Sequence, residues 1–230
     1  MNNGEDSPVD VIVVNYNGRN FLDECLQSLR DQSYENFSVK LVDNGSADGS
    51  LDLVKTDYPE VQTIELDENV GFAGANNIGI KRSASKYVAL LNNDTKADPY
   101  WLEELVATME RKEKKVGFAA SRLVFHNEQG RLDTAGDFYS IAGVGGKIGH
   151  LENSDRPEHR KTKEVFGACA GAAIYRKEML EDVGYFDESF FITQEDVDLS
   201  YRARLKGYRG IYVPSAKVEH RVHGSIGKYS

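Results

Sequence analysis

The residues best suited to chemistry in this chain stand directly after apolar runs. Residues 87–91 form such a run, and the polar residues Asn92, Asn93 and Asp94 follow it without a break. The run predicts a buried strand, and in open α/β sheets ligands bind beyond the carboxyl ends of the strands. An unpaired carboxylate is costly to bury, so Asp94 at a strand end would be satisfied by a divalent cation. The alternative is that Asp94 only opens the next turn, where Asn, Asp and Thr are common.

Two further groups of titratable residues stand near the carboxyl-terminal end of the chain. Glu195 and Asp196 open a segment in which apolar residues recur at every fourth position, and this spacing predicts a helix. The spacing of Thr193 and Asp196 also fits a capping box, in which case the acidic residues would only stabilise the start of the helix. Two histidines follow, His220 and His223, and they could instead belong to a solvated terminal segment.

Strand-like and helix-like segments alternate up to about residue 123. Strands are predicted over residues 9–15, 37–42, 61–66, 87–92 and 116–123. Helices are predicted over residues 20–32, 51–58 and the small-residue segment 69–80, and a further helix after Asp98 and Pro99, which suit an N-cap and a first helical position. Such regular alternation predicts an α/β fold with a parallel, doubly wound sheet.

The alternation stops over residues 125–163, which we predict to be loops or short hairpins. The glycine-rich residues 143–149 follow no clear strand and open no helix, so we reject a dinucleotide-binding loop and predict a flexible lid or substrate loop. Small apolar residues return over 165–175. A helix over residues 177–182 and a short last strand over 211–213 complete the predicted elements.

Composition excludes several classes of protein. The formal net charge of −9 argues against general affinity for nucleic acid, which requires a basic surface. The two cysteines, Cys25 and Cys169, provide no disulfide framework, and Cys25 lies on a helical apolar stripe as a buried, inert thiol. The acidic start does not suit a signal peptide, and no apolar run reaches the roughly 20 residues that span a bilayer. We therefore expect a cytoplasmic protein, with peripheral contact at the inner face of the cell membrane left open.

Segments along nearly the whole chain, from about residue 9 to 225, resemble glycosyltransferase family 2. The segments are residues 11–17 (Val-Ile-Val-Val-Asn-Tyr-Asn), 42–46 (Val-Asp-Asn-Gly-Ser), 69–76 (Asn-Val-Gly-Phe-Ala-Gly-Ala-Asn), 90–94 (Leu-Leu-Asn-Asn-Asp) and 195–202 (Glu-Asp-Val-Asp-Leu-Ser-Tyr-Arg). The third segment is most similar to the rhamnosyltransferase-like branch. The resemblance implies a single GT-A domain over residues 1–230, in which a mostly parallel central sheet is flanked by helices. The nucleotide-binding half would cover about residues 9–123, and a smaller, mixed acceptor-binding and catalytic half about 124–230.

The resemblance also implies roles for individual residues on the donor side. Those near the nucleotide or the donor sugar would be Val14, Asn15, Asn17, Asp43, Asn69, Gly71, Asn76 and Asn93. Asp94 would bind Mn²⁺ or Mg²⁺, and His220 would complete the coordination, with His223 as the second candidate. Imidazole favours Mn²⁺ mildly. The first position of the metal motif is Asn92 instead of Asp, which suits a cation held largely by the diphosphate and water.

On the acceptor side, the resemblance implies an inverting, metal-dependent transfer. Asp196 would be the base that takes the proton of the acceptor hydroxyl, with Glu195 and Asp198 as adjacent alternatives. The donor would be a UDP- or dTDP-sugar, and the acceptor a glycan or lipid-linked precursor in surface polysaccharide synthesis. The alternative is a non-catalytic nucleotide-sugar-binding protein of the same fold. A nicotinamide dehydrogenase is disfavoured because its glycine motif should follow the first strand, where residues 15–18 read Asn-Tyr-Asn-Gly.

Overall fold

The computed structural model describes residues 8–128 and 130–222. The strands are β1 Val9–Asn15, β2 Phe37–Asp43, β3 Gln62–Glu65, β4 Tyr87–Leu91, β5 Thr95–Ala97, β6 Val116–Phe125, β7 Leu132–Thr134, β8 Asp137–Tyr139, β9 Gly145–Lys147, β10 Lys163–Val165, β11 Ala172–Arg176 and β12 Arg209–His220. The helices are α1 Arg19–Arg30, α2 Ser50–Asp57, α3 Gly71–Lys81, α4 Trp101–Arg111, α5 Lys177–Val183 and α6 Glu195–Leu205, with a 3₁₀ turn at Pro157–His159.

One mixed sheet organises the domain, in the order β3-β2-β1-β4-β11-β6-β12-β10. Strands β1 to β4 form parallel pairs, and β6 pairs in parallel with β12. Strand β11 is antiparallel to both β4 and β6, so β1, β2, β3, β4, β6 and β12 all run in one direction. Strands β8 and β9 form a separate hairpin. The predicted α/β class and mostly parallel sheet are confirmed.

Helices cover both faces of the sheet, and strand β1 has apolar side chains on both of its faces. Its alternating side chains point to opposite faces: Val11 belongs to the apolar cluster that contains residues of α1 and α4, and Ile12 to the cluster that contains residues of α3. Both are fully buried, as expected for a sheet covered on two sides. A Cβ on Gly79 would lie 2.7 Å from Ile12 Cγ2, so the small residues of α3 let that helix approach the sheet closely.

Two predicted elements differ from the structure. Helix α4 begins at Trp101 with Tyr100 in the N-cap position, two residues later than predicted. Asp98 lies in the turn that precedes the helix, where its Oδ1 accepts a hydrogen bond from the Tyr100 N–H at 3.1 Å. The last strand is much longer than residues 211–213. Its pairing with β6 shifts register between Val213 and Lys217, where Pro214 interrupts the pattern. A bulge accommodates a proline that cannot join the ladder, and the strand then continues to His220.

The prediction that Cys25 is a buried thiol is confirmed. Cys25 is fully buried, and burial raises the pKa of its thiol to about 12. Over residues 8–128 and 130–222, no helix combines the length and the apolar character needed to cross a bilayer. The glycine-rich segment belongs to the β8–β9 hairpin, in agreement with the predicted short hairpins over residues 125–163.

Candidate active site

A cavity of about 330 Å³ lies beyond the carboxyl ends of β1 and β4, where the sequence predicts a ligand. Its wall combines residues from both halves of the chain. The predicted residues that line it are Val14, Asn93, Glu195, Asp196 and His220, and they are joined by Asn92, Asp137, Lys147, Cys169 and residues 191–194. The structure therefore brings together the strand ends of the first half of the chain and the acidic start of α6.

Asp94 and His220 form the candidate metal centre. Strand β12 pairs with β5, which places His220 opposite Thr95 and its Nε2 3.4 Å from Asp94 Oδ1. Asp94 is 2% exposed, and its Oδ1 has no hydrogen-bond partner. Burial alone would lower the pKa of His220, but the carboxylates of Asp133 and Asp94 raise it to about 9. The position between the two side chains therefore favours positive charge, either a proton on the imidazole or a metal cation.

Asp133 lies behind this centre, and sequence reasoning missed it. It is fully buried, its Oδ2 lies 2.8 Å from His220 Nδ1, and its Oδ1 accepts a hydrogen bond from Lys147 Nζ at 2.6 Å. Burial would raise the pKa of Asp133, but these two partners hold it below its ordinary value. Burial likewise opposes the charge of Lys147, yet the acidic groups around the amine raise its pKa. Both groups are therefore charged at neutral pH.

Glu195 and Asp196 lie in the cavity wall at the start of α6. Asp196 accepts hydrogen bonds from the backbone N–H of Ala170 at 3.2 Å and of Val197 at 2.8 Å. Glu195 is 5% exposed, and its Oε2 has no hydrogen-bond partner. Burial, and then the neighbouring Asp196, raise the pKa of Glu195 to about 7, and burial also raises the pKa of Asp196. Glu195 is thus poised to hold or release a proton near neutral pH.

The capping-box alternative for this segment is wrong. The N-cap position is Gln194 at φ 70°, and no side chain caps the helix. Thr193 also has a positive φ of 72°, which is an outlier for a β-branched residue. Strained backbone of this kind persists only where the surroundings impose it, and here it brings residues 193–196 into the cavity wall.

Asp137, on β8, is a second residue that the sequence did not single out. It is 4% exposed, lines the cavity, and its Oδ2 has no hydrogen-bond partner. Burial, and then the charge of Asp196, raise the pKa of Asp137 well above its ordinary value. A buried aspartate in a three-residue strand has no periodicity around it, so the pattern of the sequence contains no sign of it.

Three of the predicted donor-side residues form one buried hydrogen-bond network. Asn15 donates from Nδ2 to Asp43 Oδ1 and to Ser46 Oγ, both at 3.1 Å, and its Oδ1 accepts from Asn93 Nδ2 at 2.8 Å. Ser46 also donates its backbone N–H to Asp43 Oδ2 at 3.0 Å. The network joins the ends of β1, β2 and β4 into a rigid edge. Asn17 extends it, because its backbone N–H donates to Ser46 Oγ at 2.9 Å. The Oδ1 of Asn17 also accepts from the Ala47 N–H at 2.8 Å.

The predicted residues around α3 lie behind the cavity surface. Asn69 Oδ1 accepts from Asn44 Nδ2 at 2.8 Å and from the Gly71 N–H at 2.9 Å. Gly71 has φ +82°, and a Cβ there would lie 2.7 Å from the carbonyl oxygen of Phe191. Asn76 is buried and donates to the Phe72 carbonyl at 2.9 Å. These residues therefore fix the segment around Phe191, which lines the cavity.

The remaining candidates are less suited to chemistry. The Asp198 carboxylate is held by Arg202 at 2.6 Å and does not line the cavity, whereas Asp196 does. His223 lies outside the described residues. A group of three possible ligands, Glu152, Glu158 and His159, lies elsewhere among the described residues. Arg156 pairs with both glutamates of this group, at 2.7 and 3.2 Å, and so opposes a cation there.

The sequence profile of glycosyl transferase family 2 matches residues 10–184, which is most of the chain, so the chain belongs to this family. It is 26% identical over 95% of its length to an N-acetylglucosaminyl-diphospho-decaprenol L-rhamnosyltransferase of Mycobacterium tuberculosis, of which it covers 77%. It is 28% identical over 90% of its length to the O-antigen biosynthesis protein RfbC of Myxococcus xanthus. The chain spans 16% of RfbC and 25% of the length of protein y4gI of Sinorhizobium fredii. The predicted rhamnosyltransferase-like branch agrees with the Mycobacterium tuberculosis relative.

Solved structures share the fold. GalNAc-T7, with UDP, GalNAc and Mn²⁺, superposes with a TM-score of 0.75 at 17% identity, covering 94% of this chain and 44% of that one. The mannosyltransferase PcManGT of Pyrobaculum calidifontis, with GDP-Man and Mn²⁺, gives a TM-score of 0.70 at 20% identity, covering 94% and 57%. The predicted GT-A fold is confirmed.

Proposed function

We propose that the chain is an inverting, metal-dependent glycosyltransferase. It would transfer a sugar from a nucleotide-diphosphate donor to a hydroxyl of a glycan or lipid-linked acceptor in surface polysaccharide synthesis. The observation that carries the proposal is the joint presence of His220 and Asp196 in the wall of one cavity, with Asp94 Oδ1 3.4 Å from His220 Nε2. Membership of the family and the names of the relatives support the same activity.

Asp94 and His220 would hold Mn²⁺ or Mg²⁺. Their donor set fits a divalent cation, because the buried Asp94 Oδ1 has no other partner and His220 Nε2 faces it. When bound, the cation would act as a Lewis acid that stabilises negative charge on the departing diphosphate. Lys147 would add a second positive charge beside the same phosphates, since its amine lines the cavity next to Asp133.

Asp196 would be the general base. Burial raises its pKa, which makes the carboxylate a stronger acceptor for the proton of the attacking hydroxyl. The backbone N–H groups of Ala170 and Val197 hold its orientation. The hydroxyl would attack the anomeric carbon from the face opposite the diphosphate, so a single displacement inverts the configuration. Glu195, protonated up to about pH 7, would donate a hydrogen bond to a sugar oxygen.

The rigid strand edge would bind the nucleotide, and UDP or dTDP is the donor class that we propose. Asn15, Asn17 and Asp43 would face the base and ribose, with Val14 and Asn93 in direct contact, because these two line the cavity. Asn69, Gly71 and Asn76 would act by fixing α3 and the Phe191 segment beside the donor.

Calorimetric titration tests the donor site. UDP, dTDP and GDP are titrated into the wild type and Asp94→Ala, with and without Mn²⁺. We expect one nucleotide to bind tightly only when both Mn²⁺ and Asp94 are present. Asp98→Ala is the matched control, because Asp98 is not a proposed ligand of the cation and its carboxylate accepts a hydrogen bond from the Tyr100 N–H in the turn before α4. If none of the three nucleotides binds under any condition, the transferase proposal is contradicted.

The stereochemistry has its own test. The anomeric proton of the first product is followed by ¹H NMR, and the coupling should show an inverted configuration. A retained configuration would contradict the single displacement. Nucleotide binding without transfer to any offered glycan or lipid-linked acceptor would favour the non-catalytic alternative.

The β8–β9 hairpin supports a peripheral membrane location. Phe138, Ile141 and Val144 are exposed at this hairpin, and Ile141 is fully exposed. Its neighbours Gly146 and Lys147 line the cavity, so the hairpin would present a lipid-linked acceptor to Asp196. We expect the wild type to sediment with phosphatidylcholine vesicles and Ile141→Asp to remain in the supernatant. Equal sedimentation of both would exclude contact through this hairpin.

A further inference from the structure

We propose that Asp133 is a positioning residue that holds His220 in the tautomer and orientation needed to bind a divalent cation. Through its second oxygen it also anchors Lys147 beside that cation. The inference rests on the proposed function, because it concerns the same metal centre. Asp133 lies within residues 125–163, where the regular alternation of strands and helices stops. It does not line the cavity, and under the proposal it does not contact the cation.

Each oxygen of Asp133 has its own partner. Oδ2 lies 2.8 Å from His220 Nδ1, and Oδ1 accepts from Lys147 Nζ at 2.6 Å. The backbone of the same residue is held too, since its carbonyl lies 3.0 Å from His150 Nδ1. Asp133 is fully buried, and an ionised carboxylate in such a position must have its partners in place. This arrangement makes the residue a fixed point within the site.

The hydrogen bond to Asp133 decides which imidazole nitrogen is available. An ionised carboxylate can only accept hydrogen bonds, so the Nδ1 of His220 carries the hydrogen and Nε2 is left as the nitrogen that can bind a cation. Nε2 is also the atom that faces Asp94 Oδ1, at 3.4 Å. A carboxylate behind a metal-binding histidine fixes the ring orientation and raises the basicity of the ligand.

The second contact ties the β8–β9 hairpin to the metal centre. Lys147 ends β9, whose partner strand β8 begins at Asp137, directly opposite it in the ladder. The bond from Lys147 to Asp133 therefore fixes the end of the hairpin that lines the cavity. Without Asp133, the hairpin would lose an anchor and His220 would lose its orienting partner at the same time.

Mn²⁺ titration, with and without UDP or dTDP, tests the inference without any enzymatic assay. We expect Asp133→Ala to weaken Mn²⁺ binding about a hundredfold and Asp133→Asn only about tenfold, because the amide oxygen still accepts from Nδ1 but no longer carries the charge. Asp10→Ala is the matched control. Asp10 is also buried and pairs with a lysine, Lys40, at 3.1 Å, but it lies near the start of β1, and its loss should leave Mn²⁺ binding unchanged.

The outcomes separate this inference from the proposed function. If Asp133→Ala binds Mn²⁺ as the wild type does while Asp94→Ala does not, the positioning role is overturned and the metal centre stands. If Asp10→Ala weakens Mn²⁺ binding as much as Asp133→Ala, the effect is general destabilisation and the role is again overturned. If the wild type binds no Mn²⁺ either alone or with UDP or dTDP, both proposals fail. If Asp133→Ala does not fold, the comparison uses Asp133→Asn. The positioning role then requires that Asp133→Asn bind Mn²⁺ more weakly than the wild type while Asp10→Ala binds it equally well.

Discussion

The polar groups in the two proposed halves of the site, the nucleotide side and the catalytic side, are satisfied by hydrogen bonds to different degrees. On the nucleotide side, Asn15, Asp43 and Asn93 hydrogen-bond one another at the ends of three parallel strands. On the catalytic side, Asp137 Oδ2 and Glu195 Oε2 are buried without a partner, as is Asp94 Oδ1 at the boundary. Among the described residues, these are three of the five buried side-chain atoms in that condition. The polar groups of the nucleotide side satisfy one another. The unpartnered oxygens of the catalytic side are free to bind groups of a ligand.

The difference follows from how each half folds. Parallel strands end at one edge, so their polar termini meet and pair with one another. The catalytic half is built from a long bulged strand, two short hairpin strands and the strained start of a helix, which bring like-charged carboxyl groups into one wall. Burial and mutual repulsion then raise their pKa values. Unsatisfied buried polar groups destabilise a fold, and sites of catalysis are where such groups concentrate.

The largest expected effect is on the rate of transfer. Asp196→Asn should lower kcat by about 10²–10⁴-fold, because the proton of the acceptor hydroxyl loses its base. Nucleotide affinity should stay within about threefold, since the rigid edge is untouched. Asp198→Asn is the matched control on the same helix, and its rate should remain close to that of the wild type. If kcat falls equally in the two variants, the experiment does not support Asp196 over Asp198 as the base.

The next effect is on stability and depends on pH. The folded chain keeps the Glu195 proton up to about pH 7, whereas the unfolded chain releases it near the ordinary pKa of 4.5. The folded state therefore binds more protons in this window, and the free energy of unfolding falls as pH rises through it. Glu195→Gln should be more stable than the wild type by about 2–3 kcal/mol at about pH 8, and equal to it at about pH 4. Urea unfolding at both pH values measures this, and a destabilised variant at the higher pH would contradict it.

A smaller effect is expected on donor affinity. Lys147→Ala should weaken binding of the nucleoside diphosphate about tenfold in the presence of Mn²⁺, through loss of one charge-assisted contact. Lys147→Arg should recover much of the affinity. Lys55→Ala is the control, because Lys55 forms an exposed pair with Glu65 outside the cavity wall. An unchanged affinity in Lys147→Ala would mean that this amine only supports Asp133.

The smallest expected effects are on stability, and thermal unfolding of one variant in each half compares the two halves directly. Asn93→Ala removes the donor to Asn15 Oδ1 and should destabilise the chain by about 1–2 kcal/mol. Asp137→Asn removes a buried carboxyl group with an unpartnered oxygen and should leave stability unchanged or raise it by about 1 kcal/mol at neutral pH. If both variants lose stability equally, the two halves do not differ as we argue.

The sequence predicted the proposed nucleotide half well, because its strands and helices follow patterns among residues that are close together in the chain. Alternating strands and helices marked the elements near their true bounds, and the polar residues Asp43 and Asp94 stood at strand ends. In the other half, the pairing of β12 with β5 depends on a bulge at Pro214, so only family resemblance pointed to His220. Asp133, Asp137 and Lys147 lie in three-residue strands. Strands this short show no periodic pattern, and the partners of these residues lie elsewhere in the chain. No local pattern therefore indicated the three residues.

Anomalous diffraction at the manganese edge, from crystals grown with Mn²⁺ and UDP, tests the central claim most directly. We predict a peak within coordination distance of both Asp94 Oδ1 and His220 Nε2, with the diphosphate between it and Lys147. A peak at Glu152, Glu158 and His159 instead, or no peak while UDP is bound, would contradict a metal-dependent donor site at the strand edge.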